Sequence, residues 1–262
     1  MLAAIGDLLN AFVAAIVFPA LFAPLASVFF PDRPAWQAAA FALLTTGVAM
    51  AGYAFAALAV DLSPRAPSAG VGLVFALTVA AGCALIARSG GATLSAHLAR
   101  ALRPPVEMLS RVAFVAVFAM AFAQFAVVVL RYVFGLNFIS LQESVTYFHG
   151  TAFLLAAGYA LLTGDHVRVD ILYCRLSAKR RALIDLAGTY VFLFPFCLLI
   201  LWAAGPYVAN AWAVREGSTE QSGVQGIYLL KTLIPIFAIS LAAAGVVVAE
   251  GAARRLRGEA DA

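Results

Sequence analysis

Charge is what this sequence has least of. Asp, Glu, Lys and Arg make up 11% of its 262 residues, against about 25% in soluble globular domains. That is too little polar surface to coat a water-soluble particle. The alternating segments of about ten residues that build a membrane β-barrel are missing as well; the apolar runs are continuous for twenty or more residues. Only three cysteines occur, Cys83, Cys174 and Cys197, an odd number without metal-ligand spacing, which argues against a disulfide framework or a thiolate metal site. No serine stands in a Gly-x-Ser-x-Gly elbow, the turn that presents a hydrolase nucleophile. The first ten residues carry no Lys or Arg, so they do not read as the basic opening of a cleaved signal peptide.

What is present is an all-α integral membrane protein with a mean hydropathy of +0.98. About seven transmembrane helices are expected, at roughly 2–30, 36–60, 70–88, 106–130, 141–163, 183–204 and 229–249, each near the ~20 residues that cross the hydrocarbon core. The first holds Pro19 and Pro24; proline removes a helical hydrogen bond, so this segment is tilted, broken or partly interfacial. The net charge of +4 reports on topology here rather than on an acidic partner, and no nucleic acid is expected. Of the 17 Lys and Arg, 13 fall in alternate loops that share one face and 4 on the other. The rich face is therefore cytoplasmic, with the C-terminus inside and, for seven spans, the N-terminus outside.

The chain is expected to divide into an N-terminal extension of about three helices (1–88), a linker (89–105), a four-helix membrane domain (106–250) and a basic cytoplasmic tail (251–262). The linker, "SGGATLSAHLARALRPP", places Leu94, Leu98, Ala101 and Leu102 on one helical face and His97, Arg100 and Arg103 on the other. That suits a short helix on the membrane surface, with Arg100 and Arg103 touching headgroups, or an ordinary solvated linker. No repeat relates the two parts. Because inverted repeats with broken helices usually mark a transport site, a complete transporter in this chain alone is disfavoured.

Few polar residues remain to be explained. Arg131 ends one expected span and Glu143 opens the next. Charges at membrane depth are expensive unless paired, so an Arg131–Glu143 pair, or a pair made with a partner, is expected, with Gln142 adding hydrogen bonds. A helix N-terminus favouring an acid explains Glu143 equally. Gln124 suits hydrogen bonding between helices. Lys231 lies about a turn inside the outer end of the last span, where it can snorkel to the interface; a retinal Schiff base would need it deep in the bundle beside a carboxylate. The loop 205–228 carries Tyr207, Trp212 and Tyr228, aromatics suited to headgroups, and a Gly/Ser-rich remainder read as a flexible crossing. Tyr207–Arg215 reads as a horizontal helix. The charged island "GDHVRVD" brings Asp165, His166, Arg168 and Asp170 together. Catalytic zinc usually takes three protein ligands, and the next histidine, His149, is mid-span. In an extended register His166, Arg168 and Asp170 share one face and Val167 and Val169 the other, which reads as a docking surface or as a plain interfacial loop.

"LRYVFG" ending one span, "LQES" opening the next, "GYALLTGDHVRVDILYCRLSAKRRALIDL", "FPFCLLILW" and "EGS…LLKTLIP" follow in that order across about 106–250. Together they resemble the small membrane subunit of tripartite ATP-independent periplasmic (TRAP) transporters, the DctQ-like family, close to its mannitol/chloroaromatic or 2-oxo-acid branch. The resemblance implies four helices with both ends inside, in the bacterial inner membrane. It implies no catalytic, metal or substrate site in this subunit and no cofactor. The implied partners are a large DctM-like membrane subunit, which moves substrate by an elevator-like motion using a sodium gradient, and a periplasmic substrate-binding protein that delivers an organic acid; lipid surrounds both membrane subunits. The small subunit would be a scaffold and docking platform, with Arg131, Gln142 and Glu143 at its periplasmic end and His166, Arg168 and Asp170 at its cytoplasmic end. Residues 1–105 depart from the family pattern. An intramembrane enzyme is a weaker alternative, because Glu143 and His166 lie at opposite faces.

Overall fold

The computed structural model describes residues 21, 23–25, 27–28, 91–166, 173 and 175–259, and every structural statement below concerns those residues. Five α-helices are found: α1 (Gly91–Tyr132), α2 (Ile139–Thr163), α3 (Ala178–Gly188), α4 (Phe194–Ala213) and α5 (Ile227–Arg257). A single π turn, Thr189–Leu193, joins α3 to α4. They make four stretches long and apolar enough to span a bilayer: Ser95–Tyr132, Ile139–Thr163, Ala178–Ala213 and Ile227–Arg257. These correspond to the last four expected spans. The expected spans 2–30, 36–60 and 70–88 lie outside the described residues, except for helical residues between Leu21 and Val28.

Two compact units are present, one formed by Met1–Ala99 with Ala249–Ala262 and the other by Arg100–Val248. In the second, α5 is the most buried of the spanning helices, and glycines set how closely its neighbours come. A Cβ on Gly158 of α2 would overlap Ser240 Oγ of α5 and approach the Ser240 carbonyl oxygen to 3.1 Å. One on Gly150 would meet Leu230 at 2.9 Å. Gly245 of α5 faces the π turn, where a Cβ would meet Leu193 at 2.6 Å and Phe194 at 3.0 Å. The π turn inserts one residue into the helical repeat and so turns Phe194 into the core, where it is buried and edge-on to Tyr190 at 5.1 Å. Lipid is as apolar as leucine, so helices in a bilayer associate through close packing of small residues rather than through water exclusion.

Two sequence expectations change. Pro104 and Pro105 do not end a linker helix; they lie inside α1, which runs unbroken for 42 residues. Each proline withdraws one backbone donor, but Arg100, Ala101, Pro104 and Pro105 are all exposed, so water can solvate the carbonyls left over. Tyr207–Ala213 is likewise no separate horizontal helix but the end of α4, continuous through Pro206. The turns between helices use left-handed residues: Gly135 at φ 68°, Gly164 at φ 76° and, without glycine, Arg215 at φ 47°.

Replacing Gly158 by leucine should overpack the α2–α5 contact and destabilise the protein by about 1–3 kcal/mol. A thermal scan in detergent should show a lowered midpoint; an unchanged midpoint would mean that the close approach to Ser240 does not hold the helices.

Candidate functional site

Most of the polar contacts between distant parts of the second unit gather where the 133–138 turn and the 214–226 loop meet the helices. Glu143, in the first turns of α2, accepts a hydrogen bond from Ser218 Oγ at 2.5 Å and from the Val224 backbone N–H at 2.6 Å. Tyr147, one turn on, donates to the Val224 carbonyl at 3.4 Å. Gly223 allows this fit, since a Cβ there would lie 2.7 Å from Glu143 Oε2. A carboxylate accepting a main-chain N–H makes one of the stronger hydrogen bonds a protein forms. The loop is thus tied to α2 across 81 residues of sequence.

The other end of the loop is held by α4 and α5. Arg215 takes the left-handed position past α4, and the Glu216 N–H returns to the Ala211 carbonyl at 2.9 Å, which aims Glu216 at α5. There Lys231 Nζ pairs with Glu216 Oε2 at 2.5 Å and sits over the Tyr207 ring, 4.0 Å from its centre. The Lys231 side chain is 14% exposed, so it is a partnered group inside the loop's base and does not snorkel outward. Trp212 donates through Nε1 to Thr232 Oγ1 at 2.8 Å and meets Tyr228 edge-on at 4.8 Å. Roughly half of the Trp212 surface stays exposed. The flexible crossing expected for the Gly/Ser-rich segment is instead a fastened loop.

Other sequence candidates are redistributed. Arg131 is exposed in the last turn of α1 and makes no ion pair with Glu143; the turn carries them apart because Glu143 finds its donors in the 214–226 loop. Gln142 does not join Glu143 but donates to Asn137 Oδ1 at 2.5 Å, closing the short turn. Gln124 stands exposed on α1 rather than bonded to a neighbouring helix. His166 reaches back along α2, its Nε2 3.3 Å from the Ala157 carbonyl oxygen, and Asp165 accepts from Thr163 Oγ1. Arg168 and Asp170 lie outside the described residues. Arg103 pairs with Glu107 at 2.8 Å on an exposed face of α1, the same face that leaves Arg100 exposed.

Sequence reasoning missed three groups. The Lys231–Glu216 pair joins residues far enough apart in sequence that no helical spacing signals it. Tyr173 donates to both Asp185 carboxylate oxygens at 2.8 Å, and Arg181 lies over the Tyr173 ring, 5.7 Å from its centre, while donating to the Leu176 carbonyl. The third is a buried cluster around Glu250 and Arg257. Among the described residues no three His, Cys, Asp or Glu side chains converge on a metal position. The groove between the α1 end and the α2 start, lined by Val127, Leu130, Leu136, Phe138 and Leu141, encloses no space for a solute.

A family described as tripartite ATP-independent periplasmic transporters, DctQ component, matches residues 120–258, more than half of the chain. The chain belongs to the DctQ family. It is the small component of such a transporter, and the family is a transporter component rather than an enzyme family. No curated protein and no solved structure matches the chain. The matched stretch of this DctQ chain contains all of the fastened loop: Glu143, Tyr147, Tyr207, Trp212, Glu216, Ser218, Val224 and Lys231. It also contains wide apolar faces. Phe114, Phe118, Phe122 and Phe125 follow one another along α1 and are more than half exposed, as are Phe153 on α2 and Phe192 in the π turn. Such surface requires lipid or another membrane protein against it.

Glu143→Ala should release the 214–226 loop. Loss of charge-assisted hydrogen bonds worth about 1.5–3 kcal/mol predicts roughly tenfold to hundredfold faster amide exchange at Val224 and its neighbours. Exchange at the wild-type rate would show that the carboxylate is not the loop's anchor.

Proposed function

We propose that this DctQ chain is the non-catalytic scaffold of a sodium-coupled uptake system. It holds the large elevator-type subunit in place while an organic acid, delivered by a periplasmic binding protein, crosses through that partner. The family match over 120–258 carries the reading. In this arrangement the basic loops face the cytoplasm, following the 13 to 4 division of Lys and Arg. The 133–138 turn and the 214–226 loop then face the periplasm.

Two physical features support a scaffold. A subunit that stays still while its neighbour moves needs rigid edges, and the outer loop is tied at Glu143, Tyr147, Glu216 and Lys231 rather than left free. A subunit embedded beside a larger one also needs broad apolar flanks, which the phenylalanines of α1 and the exposed Leu199 and Trp202 of α4 supply. Sodium and substrate are handled by the partner in this reading, so the chain itself needs no cofactor. His166, Arg168 and Asp170 form the cytoplasmic edge, and Arg131 is an exposed cation at the periplasmic edge for the partner to meet.

Affinity purification of this chain in mild detergent should recover a much larger multi-span membrane protein, and Arg168→Glu should weaken that recovery. Solute uptake by liposomes containing this chain alone would overturn the scaffold reading.

A further inference from the structure

Among the described residues of the unit formed by Met1–Ala99 and Ala249–Ala262 is a cluster of charges set apart from the 214–226 loop. Glu250 and Arg257 lie seven residues apart on one face of α5, with side chains only 4% and 5% exposed, and pair at 3.0 Å. Arg254 approaches the same Glu250 oxygen at 3.4 Å. Glu259, placed by the left-handed Gly258 at φ 78°, takes Arg257 Nε at 2.7 Å. The guanidinium holds the Glu259 carboxyl below the usual carboxylate range.

What completes the cluster comes from elsewhere in the chain. Ser95 Oγ donates to the second Glu250 oxygen, 155 residues away in sequence. Arg257 Nη1 donates to Ser27 Oγ, across 230 residues, and Ser27 Oγ in turn donates a hydrogen bond to the Pro24 carbonyl at 2.6 Å. Each hydroxyl is used in the sense its neighbour requires, as a donor to the carboxylate and an acceptor from the guanidinium. Ser27, Ser95 and Pro24 are fully buried. On a bare helix end Glu250 and Arg254 would be an exposed i, i+4 pair of little worth. Buried charges, by contrast, are tolerated only when their remaining hydrogen bonds are met. The two serines meet them, so the contact is built for burial rather than accidental.

The family match covers 120–258. It therefore includes Glu250, Arg254 and Arg257 but neither serine. We propose that the last turns of α5 are a docking surface for this chain's own N-terminal extension, with Arg257 as the polar key and Ser27 as its seat, while Glu250, held by Ser95 of α1, fixes the Arg257 guanidinium. The extension is then an integral, fastened part of the subunit rather than an independent appendage. This stands apart from the scaffold reading, because it concerns how the chain holds itself and not what it transports.

The test uses the full-length chain with a specific protease site inserted between Ser89 and Gly90 and an affinity tag at the C-terminus. After cleavage in mild detergent, the 1–89 piece should stay on the affinity resin with the tagged remainder. Arg257→Leu and Glu250→Leu, each stranding a buried charge, should reduce the retained 1–89 piece by roughly tenfold or more. Ser27→Val alters only the extension and leaves α5 untouched, so it decides the matter even where an α5 variant fails to fold; it should also release the piece. Glu259→Gln, at a half-exposed carboxylate, should retain it. Release of 1–89 from the cleaved wild type, or full retention in Arg257→Leu and Ser27→Val, would overturn the proposal.

Discussion

Everything in this structure depends on how polar groups are satisfied where the chain enters and leaves the bilayer. Inside the hydrocarbon, apolar side chains gain little by choosing a neighbouring helix over lipid. Close approach at small residues does part of the holding: Gly150, Gly158 and Gly245 bring α2 and the π turn against α5. The rest falls to the helix ends, where carboxylates and cations find fixed partners. Glu143, Glu216 and Glu250 each anchor such a point, and Glu143 and Glu250 join segments 81 and 155 residues apart.

The ends therefore carry the individuality of the protein, while its middle is generic. Along the spans, α1 and α4 present phenylalanine, leucine and valine outward, surface that any apolar neighbour can cover. At the 214–226 loop the same chain is specific. One carboxylate accepts a main-chain donor, a lysine is held between a glutamate and a tyrosine ring, and an indole N–H meets a threonine. A subunit of a multi-part transporter gains from that division. Its flanks are apolar surface that lipid or another membrane protein must cover, and its loop is held in one shape by its own hydrogen bonds.

The legible part of this protein was carried by long-range averages. Apolar runs located the four described spans, because a helix must hide its own backbone in lipid over about 20 residues. Short-range rules did less well. The expected linker ends at the double proline 104–105, yet exposed carbonyls tolerate missing donors and α1 continues. Arg131 and Glu143 are expected to pair, with each other or with a partner, because unpaired charge at membrane depth is costly, yet Glu143 bonds to Ser218 and Val224. Gly/Ser composition in 214–226 was read as freedom, although those small residues are what let the loop close on Glu143.

By itself the sequence determined that the chain is a helical membrane protein, where four of its helices run, and that its ordered motifs are those of a DctQ subunit. These follow from composition, periodicity and order along the chain, all of which are local or additive. Only the tertiary structure decided which polar residue meets which. It paired Lys231 with Glu216, gave Glu143 to the 214–226 loop, and buried Arg257 between Glu250 and Ser27. The reason is that such pairs span up to 230 residues and depend on the rotation of each helix about its axis, which hydropathy in a uniformly apolar span does not encode.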